Sequence, residues 1–120
     1  MEKKFDALKT ANEYIDNLKL GIEDLVGKIN SGQENNAMLL IAEIADGLEW
    51  LINVVTLTVE LHKGDISIES LKEKLEEVIE ALENEDYVLT GDLFNYEILP
   101  ILEEIQNNIR SIFVINKLKW

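Results

Sequence analysis

The sequence predicts an all-α fold, an antiparallel four-helix bundle whose last helix is kinked at a proline. Three observations carry this. Apolar residues recur at alternating spacings of three and four along most of the chain. Three breaks, at Ser31-Gly32, Lys63-Gly64-Asp65 and Asn84-Glu85-Asp86, divide it into four segments. One Pro and six Gly in 120 residues leave little room for the turns of a β fold.

The first helix is expected over residues 4–30. Leu8, Ala11, Ile15, Leu18, Ile22, Leu25 and Ile29 form an unbroken heptad stripe, the period of a left-handed bundle seam. Gly21 and Gly27 each weaken it by roughly 1 kcal/mol relative to Ala. The second helix is expected over 34–62. Its main stripe is Ile41, Ile44, Ala45, Leu48, Leu51, Ile52, Val55 and Val59. Trp50 and Leu57 lie almost opposite Leu48 at 100° per residue, so this helix is apolar on two faces and needs a second cover. Its β-branched residues also suit a strand over Leu51 to Leu61, but no second strand exists to pair with it. Gly64 ends the helix.

The third helix is expected over 68–84, with Ser67 as N-cap and Ile66 and Leu71 at the staple positions. It buries Ile68, Leu71, Leu75, Val78, Ile79 and Leu82, and its other face is nearly all charged. The fourth, over 87–115, carries Phe94, Ile98, Ile101, Ile105, Ile109 and Ile112 on one side. Leu89, Leu93, Tyr96, Leu99 and Pro100 lie on the other. Pro100 has no N–H for the carbonyl of Tyr96, so a kink is expected there. The tail, Asn116 to Trp120, either frays or docks through Val114, Ile115, Leu118 and Trp120. The connections are short, which makes neighbouring helices antiparallel within one domain, residues 1–120.

Composition narrows the function. There are 24 acids against 11 Lys and Arg, a net charge of −13, with twelve of the acids between residues 69 and 104 beside only Lys72 and Lys74. Such a surface repels phosphate backbones, so nucleic-acid binding is not expected. The acids serve either as a solvated face or as a lure for a basic partner. There is no Cys, hence no disulfide and no thiolate metal site. Met1 to Lys9 has no apolar core of a secretory signal. The longest uncharged apolar run, Trp50 to Val59, is half of the about 20 residues of a membrane span. A cytoplasmic protein is expected, with no membrane contact.

Candidate chemistry is sparse. The only histidine, His62, stands at a helix C-terminus, where a cation is favourable, and is expected to cap it. It cannot supply a two-histidine metal site. Glu43 and Asp46 share a face of the second helix, while Asp92 and Glu97 flank the expected kink. If the four converge, their oxygens suit Mg²⁺. Glu43-x-x-Asp46 resembles the second acidic element of all-α nucleotide pyrophosphohydrolases; the first, acid-rich element has no counterpart between Glu23 and Asn36. The nucleophile elbow, the Gly-rich phosphate loop and the Arg-x4-His signature of HEPN ribonucleases are absent.

The least generic stretch is Asp86-Tyr87-Val88-Leu89-Thr90-Gly91-Asp92-Leu93-Phe94-Asn95-Tyr96-Glu97-Ile98-Leu99-Pro100. It resembles one from a family of small, acidic, all-helical bacterial proteins without assigned function, often encoded near flagellar genes. Ile41 to Leu51, with Glu43 and Trp50, matches the same family's second helix. The resemblance covers most of the chain and implies no catalytic residues. Size, acidity and helical architecture also resemble flagellar export chaperones, an analogy of fold alone.

The expected function is therefore protein interaction without catalysis or cofactor, by an adaptor or a chaperone for an amphipathic helix. Trp50, Leu57, Leu89, Leu93 and Tyr96 form the expected interaction surface, taken either by a protein partner or by a second copy in a homodimer. The rival is a Mg²⁺-dependent nucleotide hydrolase built on Glu43, Asp46, Asp92 and Glu97.

Overall fold

The structure, a computed structural model, describes residues 2–116 and is all-α throughout them. Six α-helices follow in order: α1 (Glu2–Asn30), α2 (Glu34–Leu57), α3 (Val59–His62), α4 (Glu69–Glu83), α5 (Tyr87–Asp92) and α6 (Leu99–Ile115). A π-helical turn, Leu93–Ile98, joins α5 to α6 without leaving helical backbone. The bundle is a rod of 47 × 22 × 20 Å. Its length is that of α1, whose 29 residues span about 43 Å at 1.5 Å each.

The heptad stripe sets the architecture. Leu8, Ala11, Ile15, Leu18, Ile22 and Leu25 are all buried, and Ile29 is partly buried. α1 packs on α2 along one side and on α5, the π turn and α6 along another. Gly21 meets Ile44 and Gly47 meets Leu18, so α1 and α2 run antiparallel. Ile29 lies against Gly91, and Phe5 meets Phe113 edge to face at 5.9 Å, so α6 also runs antiparallel to α1. α4 packs chiefly on α5 and the π turn. The result is four helical rods, as expected, arranged around α1.

Polar contacts fix the register of α1 on α6. Gln106 is buried and donates through Nε2 to the carbonyl of Asn12 at 3.0 Å and to Asp16 Oδ1 at 2.8 Å. Its Oε1 accepts from Lys19 Nζ at 2.9 Å. A slip of one turn would strand these groups in an apolar seam, where an unsatisfied one costs about 1–3 kcal/mol. α4 is tied to the π turn through Lys74, which lies 2.8 Å from Glu77 and 4.0 Å from Glu97. The hydrogen bond to Glu77 holds the Lys74 ammonium above its ordinary value; desolvation opposes it, and the charges of Glu77, Glu97 and Glu73 add to it.

The helix ends follow backbone chemistry. After α1, Gln33 N–H bonds the carbonyl of Lys28 and Gly32 N–H that of Ile29, with Gly32 at φ +77°. This is a Schellman stop, and a glycine suits its left-handed residue. α4 ends the same way, with Asp86 on Ala81 and Glu85 on Leu82, although Glu85 takes the left-handed position at φ 54°. Asp86 then caps α5 by accepting from Leu89 N–H at 3.0 Å.

Several expectations need correction. The second helix is not continuous over 34–62 but breaks at Thr58. Thr58 Oγ1 donates to the carbonyls of Val54 at 2.7 Å and Val55 at 3.3 Å, competing with the helical ladder. His62 completes the break and is no exposed cap. Only 2% exposed, it donates from Nε2 to the Val55 carbonyl at 2.9 Å. Its Nδ1 accepts from the N–H groups of Gly64 at 3.2 Å and Ile66 at 3.4 Å. A carbonyl only accepts and an N–H only donates, so the ring is neutral with its proton on Nε2. One buried imidazole thus clips the end of α2 to the connection leading into α4.

Ser67 does not cap α4; the helix begins at Glu69 after Ile68, without a side-chain cap. Burial of Ile66, Ile68 and Leu71 draws the chain in instead. Ile79 is exposed on α4, and Ala81 takes an inner position. At Pro100 the sequence led to a kink, and the structure answers with the π turn just before it. Leu99 N–H reaches back five residues to the carbonyl of Phe94. The wider turn relieves the crowding of the proline ring against the carbonyl of Tyr96. It also shifts the stripe, so Leu93 and Phe94 both turn inward and Leu102 replaces Ile101 in the seam. Val114 and Ile115 are exposed and do not dock, while Leu118 and Trp120 lie outside the described residues.

His62→Ala should lower the unfolding free energy by about 2 kcal/mol in urea titration, because it empties a buried site, strands the buried N–H of Ile66 and leaves the Val55 carbonyl only its long contact with Thr58 Oγ1. A change under about 0.5 kcal/mol would show that apolar contacts of Ile66 and Ile68 alone hold the connection.

A candidate docking face on the second helix

α2 is buried along one edge, through Ala37, Ile41, Ile44, Gly47, Leu48, Leu51 and Val55. Its opposite edge is exposed among the described residues, apart from the contact of Trp50 with Tyr14. Leu39 is 71% exposed, Leu57 72% and Trp50 38%. Steps of eleven and seven residues, at 100° each, put all three on one side of the helix. They span about 27 Å along its axis. Glu43 and Asp46 are exposed between Leu39 and Trp50.

Trp50 is braced from α1. Its ring meets Tyr14 edge to face, with centroids 5.1 Å apart and planes at 81°. Tyr14 lies there because Gly47 has no side chain. A Cβ at Gly47 would come within 2.5 Å of Tyr14 Oη and 2.8 Å of Leu18 Cδ2. Thr10, Tyr14 and Trp50 line an open depression, and a second one begins on the other side of Tyr14, among Asn17, Leu18, Gly21, Leu40, Glu43 and Ile44. The two form a shallow groove between α1 and α2.

The residues expected to form the interaction surface lie on different helices. Trp50 and Leu57 share the α2 face. Leu89 is exposed at the groove between α4 and α5, and Tyr96 is exposed on the π turn. Leu93 is turned mostly onto the core, 7% exposed, and lines the floor of the same α4–α5 groove as Leu89. Leu39 and Tyr14 were not among the expected residues. Leu39 was within reach of the helical period, since it stands eleven residues before Trp50. Tyr14 was not, because its role depends on where α1 meets Gly47.

The four carboxylates proposed for Mg²⁺ do not assemble. Among the described residues no group of three or more His, Asp or Glu side chains is placed to hold a metal. Glu43 and Asp46 face outward on α2, while Glu97 reaches Lys74 of α4. Among the described residues no helix is long and apolar enough to cross a membrane.

Residues 6–108 match the model of a family described as a domain of unknown function, DUF8042. The match runs from within α1 to within α6, so every helix takes part in it in whole or in part. No curated protein and no solved structure matches the chain.

Gly47→Ala should displace Tyr14 and lower stability by about 1–3 kcal/mol, the usual cost of an overpacked site. The near-ultraviolet dichroism of Trp50 should change with it; an unaltered spectrum and midpoint would mean that the helices part without cost. Millimolar Mg²⁺ or Mn²⁺ should leave the melting midpoint unchanged, since a built site would raise it by mass action.

Proposed function

The chain belongs to the DUF8042 family, and we propose that it is a protein-interaction module that works through the outer face of α2. The observation that supports this reading is the row Leu39, Trp50 and Leu57 on one side of α2, with Leu39 and Leu57 exposed and Trp50 packed on one side by Tyr14 and open on the other. Apolar side chains aligned on one face, with acids between them, mark docking surfaces more often than scattered exposure does. Trp50 suits an anchor, being large, preordered by Tyr14 and open on its other side. The face is long and nearly straight, which fits a helix laid along it. Its occupant is a helix of another protein or a second copy of the chain. Roles as an adaptor or a chaperone, a cytoplasmic location and a link to the flagellum are finer forms of the same reading, supported only by the sequence resemblance of residues 41–51 and 86–100.

A photo-crosslinking residue tests the reading in cells of the source organism. Placed at Leu39 or Leu57 it should give a discrete protein adduct, and placed at Glu76 on the charged face of α4 it should give none. Equal labelling from all three positions, or none from any, would remove the α2 face as a docking site.

A further inference from the structure

We infer that the occupant of the α2 face is a cationic amphipathic helix of a different protein, with Lys or Arg set between its apolar anchors. This rests on the docking reading above and adds the charge of the partner. α2 carries Glu34, Glu43, Asp46 and Glu49 and has no Lys or Arg anywhere in its length. Among the described residues none of these four carboxylates pairs with a cation. Elsewhere six acids are paired, Asp24 with Lys28, Glu60 with Lys4, Glu69 with Lys72, Glu103 with Lys19, and Glu77 and Glu97 with Lys74, while Glu73, Glu76, Glu80 and Glu83 on the exposed face of α4 form no ion pair among the described residues. What sets α2 apart is that two of its unpaired carboxylates, Glu43 and Asp46, stand within the exposed apolar row.

The order along the row is apolar, acidic, apolar. Leu39 and Trp50 stand about 16 Å apart, and Glu43 and Asp46 lie between them. A partner helix with apolar anchors at the same separation would bring its central residues over the two carboxylates. Lys or Arg there pairs with both, and the flanking contacts exclude water from the pair, which strengthens it. The groove residues Thr10, Tyr14, Asn17 and Gly21 of α1 add no cation of their own. A second copy fits poorly. Two α2 faces packed on each other bring four carboxylates, Glu43 and Asp46 of each copy, and no cation of α2 into one interface, on chains of net charge −13. Like charges set opposite one another select against that pairing.

A display library of helical peptides, each about 18 residues to match the Leu39–Leu57 span, decides the matter. Leu is fixed at the anchor positions, and Lys, Gln and Glu are allowed between them. Selection is made on the full chain, and binders that also hold Trp50→Glu are discarded. The inference expects Lys at the central positions. It also expects the Glu43→Gln/Asp46→Asn double variant, which keeps the fold, to bind the selected peptide about tenfold more weakly. Selected peptides with Gln or Glu at the centre, or a double variant that binds equally well, would overturn the charge inference and leave the docking reading standing. A library without Trp50-dependent binders, on a chain that light scattering shows as a monomer, would overturn both. A dimer that Trp50→Glu converts to monomer would assign the face to a second copy and overturn the inference alone.

Discussion

The bundle depends on the seam of α1. Six of its apolar residues, from Leu8 to Leu25, are buried at heptad spacing between α2 on one side and the α5–α6 helix on another. A seam of that length aligns its partners along its own axis, which is why the molecule is a rod. Hydrophobic burial gives this seam its energy and no register, since Leu and Ile pack nearly as well one turn along. Register comes from Gln106, whose amide bridges Asn12, Asp16 and Lys19 of α1. Gly47 gives the second helix its own mark of register, because only there does Tyr14 lie flush on α2.

The ends of the rod show how few polar groups steer the chain. At one end His62 gathers a carbonyl of α2 and two N–H groups of the following connection into one buried ring. At the other, glycine and a left-handed glutamate close two Schellman stops. Pro100 sits between the ends and turns a straight helix into one with a π turn. That turn brings Leu93 inward and leaves Tyr96 outside. A local rule about one missing N–H thus decides which side chains belong to the core.

The exposed face of α2 follows from the same economy. α1 draws α2 and α6 to itself, α4 packs on α5 and the π turn, and no helix is left for the outer edge of α2. A protein that needed only stability would place polar residues there. This chain places Leu39, Trp50 and Leu57, with Glu43 and Asp46 between Leu39 and Trp50 in no ion pair among the described residues. On the proposed docking reading, the apolar anchors would supply affinity while the carboxylates would select against acidic helices.

The all-α class, the approximate helical segments and the inner stripe of the first helix were legible in the sequence, because a 3.6-residue period and glycine stops are local properties of the chain. The double-faced character of α2 was legible for the same reason, and Trp50 and Leu57 do lie outside. What the sequence could not decide were the contacts between segments distant in the chain. Nothing local marks Gln106 for burial; its role appears only when Asn12 and Asp16 are brought to it. His62 reads as a cap until its ring meets the carbonyl of Val55. Four carboxylates read as a metal site until the helices that carry them point apart. Periodicity fixes which face of a helix is apolar; only the packing of α1 against its neighbours determines which of those faces is covered, because coverage depends on helix positions in space and no local pattern encodes them.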